Sequence, residues 1–415
     1  MIFNDSKYNT DWEIKPLERL GNFKRGKSKH RPRNDKRLFE NGQFPLIQTG
    51  EIREANLYIN SHNARYNDFG LKQSKMWSTN TLCITIAANI AETALLGYEM
   101  CFPDSVVGFN ATEDETTELY IHYIFVYIKK AIQNRTLGSI QDNINIDYLT
   151  SLKFRMPSFS YQQKIAKVLS TLDAKIELNN RINKELEAMA KTLYDYWFVQ
   201  FDFPNENGKP YKTSGGKMVY NKELKRDVPN GWEVGVLSDI SNITMGQSPK
   251  GKSYNSVGKG SIFFQGSTDF GWRFPKVRQF TTSPTRFAKK GDILLSVRAP
   301  VGTLNVAIKD CCIGRGLAAL NSKSNTGSYL FGIMQNLKQI FDRRNVSGTT
   351  FGSITKDDLY SLKVIIPKEN LLIKFHQKVS TFDNLIVKNH KENQQLTELR
   401  DWLLPMLMNG QVRVK

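Results

Sequence analysis

Residues 138–157 read GSIQDNINIDYLTSLKFRMP, and residues 348–367 read GTTFGSITKDDLYSLKVIIP. Laid over one another at an offset of 210 (348 minus 138), Asp147/Asp357, Leu149/Leu359, Ser151/Ser361, Leu152/Leu362, Lys153/Lys363 and Pro157/Pro367 coincide. The register runs on without a gap through STLD at 170–173 and STFD at 380–383. Near the start, Trp12-Glu13-Ile14 answers Trp232-Glu233-Val234 at an offset of 220 (232 minus 12). The chain therefore carries two copies of one globular unit, each closing in a long helix. A chain built this way can read two separate things at a fixed distance.

The long helices declare themselves by their apolar spacing. Ile165, Leu169, Leu172, Ile176, Asn179, Asn183, Leu186, Ala190, Leu193 and Trp197 alternate steps of four and three, the spacing of a coiled-coil seam. Adding 210 gives Phe375, Val379, Phe382, Ile386, Asn389, Asn393, Leu396, Arg400, Leu403 and Leu407, with asparagines at the same two places. If the helices run antiparallel, Asn179 faces Asn393 and Asn183 faces Asn389. Buried amides satisfy one another only in that alignment, and a slip strands polar groups among leucines. The four asparagines are thus expected to fix helix register. The alternative is two ordinary amphipathic helices, each packed on its own domain. From Ile165 to Trp197 such a rod measures about 48 Å at 1.5 Å per residue, against roughly 34 Å for a turn of B-DNA.

The expected fold class is α+β: two pseudo-repeated mixed α/β domains separated by two long helices that form an antiparallel coiled coil. The expected segments are a first domain over 1–157, a first spacer helix over 158–202 and an exposed polar linker over 203–230. A second domain over 231–367 and a second helix with its tail over 368–415 follow. Strands are expected at 81–87 (TLCITIA) and 292–297 (DILLSV), and matching helices at 118–132 and 329–341.

Bulk properties narrow the partner. Lys plus Arg is 58 and Asp plus Glu is 40, a net charge of +18 over 415 residues. That surplus suits a polyanion. No run of 18 or more apolar residues exists, and residues 1–15 lack the apolar core of a signal peptide, so no membrane association is expected. The four cysteines form no CxxC pair, which fits a reduced, cytoplasmic compartment.

Base reading needs donors and acceptors on loops beside a basic surface. Residues 24–37 (KRGKSKHRPRNDKR) hold Lys24, Arg25, Lys27, Lys29, Arg31, Arg33, Lys36 and Arg37, eight cations against the single acid Asp35. Such density points to phosphate contact and strong salt dependence; the plain alternative is a solvated loop. Gln48 and Thr49 follow in LIQTGEIR, with Gln265 in the matching place of the second copy. Arg298 (SVRAPVG) and Arg315 (IGRGLA) sit in Gly- or Pro-punctuated turns, and Ser347, Thr349 and Thr350 in a Gly-bracketed one. The first copy has Ala87 where the second has Arg298, and Phe109-Asn110 where it has Arg315-Gly316. The two arginines either touch DNA or support the fold by pairing with a buried acid. The divergence suggests that the two copies read unlike things.

Residues 246–253, GQSPKGKS, fit the pattern GxxxxGK[ST], but the turn-rich YNSVGKGS follows where a phosphate-binding loop needs a helix. A loop presenting Lys250 and Lys252 to DNA is the better reading. The five histidines show no metal spacing, and no nucleophile or methyltransferase motif stands out, so no catalytic residue, metal or cofactor is expected on this chain. The aromatic cluster at Tyr194, Tyr196, Trp197 and Phe198 is expected to dock a partner, because a thin rod has little core for so many rings.

The doubled layout, GWEV after PNENGKPYKTSGGKMVYN, RAPVG at 298–302, IGRGLAAL at 313–320, SGTTFGSITKDDL at 347–359 and the paired helix openings YQQKIAKVLSTLD and LLIKFHQKVSTFD together resemble a specificity subunit of a type I restriction-modification enzyme. The resemblance covers nearly the whole length. It implies that each globular copy is a target recognition domain and that double-stranded DNA is read at two half-sites around an unspecific gap. It also implies that catalysis lies on partners: two methyltransferase subunits, of an adenine-modifying enzyme, that bind S-adenosylmethionine, and restriction subunits that use ATP and Mg. A prokaryotic cytoplasm follows. Two rivals stay open: a coiled-coil DNA-binding scaffold without base reading, and a P-loop nucleotide-binding enzyme using Gly251-Lys252-Ser253.

Overall fold

The computed structural model describes residues 2–87, 90–137, 146–346 and 353–415. The chain divides into two compact units, one made of Met1–Arg181 with Asn389–Lys415, the other of Ile182–Lys388. Both divisions fall inside the long helices, Phe159–Tyr194 and Glu369–Met408.

In the first unit, Gly21–Arg25, Val106–Ala111, Leu82–Thr85 and Thr93–Leu96 form an antiparallel sheet, and Tyr58–Ile59 joins its far edge in parallel. The runs LCIT and TALL are buried at every residue, as apolar strands covered on both faces must be. Helix Glu118–Leu137 covers one face through Tyr120, Tyr123, Ile124 and Phe125. A second sheet runs Ala64–Tyr66, Phe44–Leu46, Met100–Cys101, Met76–Trp77, with its middle pair parallel. Strand Glu13–Pro16 pairs with Lys153–Met156 and ties the start of the repeat to its end.

The second unit repeats this order. Ser241–Met245, Leu317–Ser322, Ile293–Ser296 and Leu304–Val306 form the antiparallel sheet. Tyr254–Asn255, Phe280–Thr281, Ser261–Phe264, Cys311–Ile313 and Phe287–Ala288 form the second, again with one parallel pair, Ser261–Phe264 with Cys311–Ile313. Strand Glu233–Val236 pairs with Lys363–Ile366. Leu149 and Leu359, which coincide in the repeat, are both buried.

Strand register corrects one alignment. Ser296 lies opposite Leu317, and Thr85 lies opposite Val106. Arg298 therefore does correspond to Ala87, but Arg315 corresponds to Asp104 and not to Phe109. The glycine-rich and aliphatic wording of the two stretches hides the shift, because hydrogen bonding rather than residue identity sets the register.

Two other expectations change. Residues 203–230 are not a bare linker: Met218–Asn221 and Arg226–Pro229 form an antiparallel hairpin. Phe203 and Val228 are buried in the core of the second unit with Trp232. The aromatic cluster is not a free docking face either. Tyr194, Trp197 and Phe198 are buried against Tyr329 and Phe375 of the same unit, and Phe198 lies 4.6 Å from the Tyr329 ring centroid. Only Tyr196 is exposed. The rings have a core because the helix, through a π-helical turn at Asp195–Val199, packs here on Trp232, Tyr329 and Phe375 of the same unit.

Within the first unit the helical seam is antiparallel. Asn179 Nδ2 donates to Asn393 Oδ1 at 2.9 Å and to Glu392 Oε2 at 2.8 Å, and Asn393 Nδ2 donates to Asn180 Oδ1 at 2.8 Å. Six residues before Asn179, Asp173 meets Arg400, seven residues after Asn393. The Arg400 Nη1 to Asp173 Oδ1 distance is 2.7 Å, and Tyr123 Oη donates to Asp173 Oδ2 at 2.7 Å. Burial, and then the Asp173 charge, push the Tyr123 phenol far above its usual range, so it stays a donor. Asn183 and Asn389 are also buried.

Asp173 is 1% exposed, so removing its counter-ion leaves a buried charge unpaired. Arg400→Met is expected to destabilise the first unit by about 3–5 kcal/mol. Urea unfolding measures the loss, and an unchanged midpoint would show that Asp173 does not depend on Arg400.

Candidate nucleic-acid interface

Four loops of the second unit meet above the parallel strand pair. Gln247 N–H donates to Ile313 O, Gly314 N–H to Phe264 O, Gly316 N–H to Gln265 O and Val297 N–H to Gly316 O, at 2.8–3.2 Å. The Ser248 hydroxyl is their hub: its Oγ accepts from Gln265 Nε2 at 2.8 Å and from Arg315 N–H at 3.2 Å. A Cβ on Gly246 would lie 2.2 Å from Gly314 O, so only glycine lets these loops approach.

This geometry sorts the expected contacts. Arg298 and Arg315 project into solvent with no ion-pair partner among the described residues, so they are not fold supports buried on an acid. Gln265 instead turns inward, half-buried, with Nε2 committed to Ser248 and Oε1 buried without a partner. It ties the loops together. Lys250 and Lys252 are exposed beside the hub. Lys252 lies inside a single tight turn, Gly251–Ser253, and strand Tyr254–Asn255 follows. No helix offers its amides to a phosphate there, and the Ser253 hydroxyl is spent on Lys250 O and Thr281. Ser347, Thr349 and Thr350 lie outside the described residues.

The first unit builds the same junction from other side chains. Gly26 N–H donates to Val106 O, Lys27 N–H to Phe102 O and Ile86 N–H to Ser105 O, the counterparts of the second-unit bonds. A Cβ on Gly26 would lie 2.2 Å from Pro103 O. Gln48 and Thr49 open the helix Thr49–Glu54, beside the same strand, because Ile47 N–H donates to Cys101 O at 3.0 Å. Gln48 is exposed and Thr49 half-buried.

The basic arm is not uniformly free. Asp104, at the position of Arg315, holds Arg33 at 2.6 Å and Arg31 at 3.6 Å. Where the second unit carries an arginine in the turn, the first carries an acid that brings two arginines to it. Arg37 is paired with Asp35, whose carboxyl Arg37, and then His30, hold far below the usual range. Lys24, Arg25, Lys29 and Lys36 are exposed and have no ion-pair partner among the described residues; Lys27 is half-buried. Ser248, Asp104 and the paired glycines were not among the expected residues. The signal for the glycines and Ser248 is the repeat of Gly-x-Ser, GKS at 26–28 and GQS at 246–248, at the same offset of 220 as the tryptophans; Asp104 has none.

Among the described residues no group of His, Cys, Asp and Glu could hold a metal ion, and no helix is long and apolar enough to cross a membrane. All four cysteines are free and buried.

A family model described as the type I restriction modification DNA specificity domain matches residues 9–188 and 229–399, once on each repeat. The chain belongs to this family. It is 32% identical to a Methanocaldococcus jannaschii chain named provisionally as the MjaX type I restriction enzyme specificity subunit, over 70% of this chain and 65% of the relative. It is 26% identical to the MjaIX specificity subunit of the same organism, over 99% of this chain and 95% of that one. The crystal structure of a type I restriction-modification S subunit from M. genitalium has the same fold, with a TM-score of 0.60 at 17% identity, covering 98% of this chain and 99% of the other. The expectation of a specificity subunit, not an enzyme in its own right, stands on that membership.

Replacing the unpaired Lys24, Arg25 and Lys29 together by glutamine is expected to flatten the slope of log K against log salt for duplex binding by roughly 2–3. Titrations at several salt concentrations read it. An unchanged slope would make the arm a solvated loop.

Proposed function

We propose that the chain binds double-stranded DNA at a bipartite, asymmetric target, with one half read by each unit, and brings methyltransferase and restriction subunits to it. The observation that carries this reading is the loop junction built twice on one framework with unlike side chains. Arg298 and Arg315 stand in one copy, and Ala87 and Asp104 with Arg31 and Arg33 in the other. A shared framework with divergent tips suits two readers of different sequences, since guanine is read by arginine forks and adenine by amides. The exposed cations around each junction supply the phosphate contacts that position without specifying.

On this reading chemistry belongs to the partners. Two methyltransferase subunits carry S-adenosylmethionine, restriction subunits use ATP and Mg, and the assembly works in a prokaryotic cytoplasm. The relatives' names as restriction-enzyme specificity subunits support it. The P-loop alternative loses support from the absence of a helix after Gly251–Ser253.

Selection from a pool of random duplexes tests the proposal. The wild-type chain is expected to enrich two short motifs at a fixed spacing. Arg315→Ala is expected to relax one position in one motif, at a cost of roughly 1–3 kcal/mol in discrimination. Enrichment of nothing, with tight binding retained, would leave a DNA-binding scaffold without base reading.

A further inference from the structure

The loop that leaves the junction at Gln265 carries a one-sided ion pair. Asp269 closes the turn Ser267–Asp269, and its side chain is only 10% exposed. Arg278, just before strand Phe280–Thr281, has a side chain 60% exposed. Its Nε donates to Asp269 Oδ1 at 2.6 Å, and its Nη2 meets the same oxygen. The acid thus grips one edge of the guanidinium. The outer edge, Nη1 with the second N–H of Nη2, is left unspent among the described residues.

The pair lines a cavity of about 370 Å³ with Tyr254, Asn255, Ser256 and Gln279, and every one of these residues carries a hydrogen-bonding group. The walls are fixed. Tyr254 Oη donates to Pro249 O at 3.0 Å, next to the Ser248 hub, and its ring packs on Phe263 with centroids 4.8 Å apart. Asn255 Nδ2 donates to Lys259 O at 2.9 Å, and Asn255 Oδ1 accepts from Lys259 N–H at 3.0 Å. The Gln279 carbonyl accepts from Phe263 N–H at 2.9 Å, yet its half-buried side-chain amide has no hydrogen-bond partner among the described residues. Lys252, Lys259 and Lys276, on the adjoining backbone, are exposed and without an ion-pair partner among the described residues.

Charge separates the possible contacts. An arginine already neutralised by a carboxylate is a poor phosphate ligand, since the acid repels the phosphate that the arginine attracts. The free lysines nearby serve phosphate better. A base edge is dipolar but uncharged, and guanine O6 and N7 together accept from two parallel N–H groups, which is what the outer edge of a guanidinium offers. Held by Asp269, that edge loses little freedom on contact. We infer that Arg278 reads a guanine in the half of the target bound by the second unit, with Asp269 as the residue that positions it. This deepens the reading of the chain as a base-reading specificity subunit and rests on it.

The test compares the full chain with its Arg278→Lys variant. Lysine keeps a cation on Asp269, and so the fold, but replaces a two-edged fork by a point charge. Both proteins go through selection from random duplexes, and the selected site is remade with 7-deazaguanine, which lacks N7, at each guanine in turn. The wild-type motif is expected to hold one guanine that Arg278→Lys no longer specifies. At that position 7-deazaguanine should weaken wild-type binding about fivefold or more and leave the variant's affinity unchanged. Asp269→Asn should lose the same preference while binding random duplexes at least as tightly as wild type, since a released arginine attracts phosphate. An unchanged motif with Asp269→Asn would overturn the positioning role. The same motif from wild type and Arg278→Lys would overturn the inference alone. So would a uniform loss of affinity with the motif intact, by assigning Arg278 to phosphate. If the wild-type chain enriched no motif, the parent reading would fail, and this inference with it.

Discussion

Each long helix carries an aspartate at the same repeat position, and each aspartate needs an arginine. In the first unit Asp173 is buried, and Arg400 of the opposing helix reaches it. In the second unit Arg273, itself only 8% exposed, reaches Asp383 at 2.6 Å and Glu187 at 3.1 Å. An unpaired charge in either interior would be far more costly than any single apolar contact is favourable. The constraint forbids sliding of one helix on the other by a turn, since a slip breaks both the Asp173–Arg400 pair and the Asn179–Asn393 bond. In the second unit it does more. Arg273 comes from the domain body, and the loop that presents it is held at Gly271, whose N–H donates to Asn305 Oδ1 and whose carbonyl accepts from Asn305 Nδ2. The body of that unit is thereby keyed to the helices by charge as well as by its aromatic core.

On those anchored helices the same mixed sheets are built twice, and the variable chemistry is confined to the loops between strands. Gly26 and Gly246 mark the point where the backbone must come closest, which keeps the junction alike in both units. What projects from it is free to differ. The exchange of Arg315 for Asp104 is the clearest case: a positive turn is made directly in one copy and by recruitment of Arg31 and Arg33 in the other.

Much of this is legible in the residues. The repeat, both long helices, the strands around residues 82–85 and 293–296 and the antiparallel facing of Asn179 and Asn393 follow from spacing alone, because periodicity reports which side of an element is covered. The buried carboxylate is less visible. Leu172 fits the apolar seam, yet its neighbour Asp173 is the deeper residue, and nothing local announces that Arg400 waits 227 positions away. The aromatic cluster and the polar stretch after it mislead for one reason: a segment's composition does not say what folds back over it. Gln265 misleads differently, as an amide suited to read a base is equally suited to tie loops. Base-reading roles are the least legible, since exposure and charge mark a surface without saying which side chain touches what.

The account stands on the claim that each repeat is a self-sufficient reader. Replacing residues 232–367 by the corresponding stretch of a relative with a different target, and mapping the methylated bases in cells that carry the chimaera with its methyltransferase, tests it most directly. The account predicts that one half of the recognised motif changes and the other stays. A change in both halves, or in neither, would contradict it.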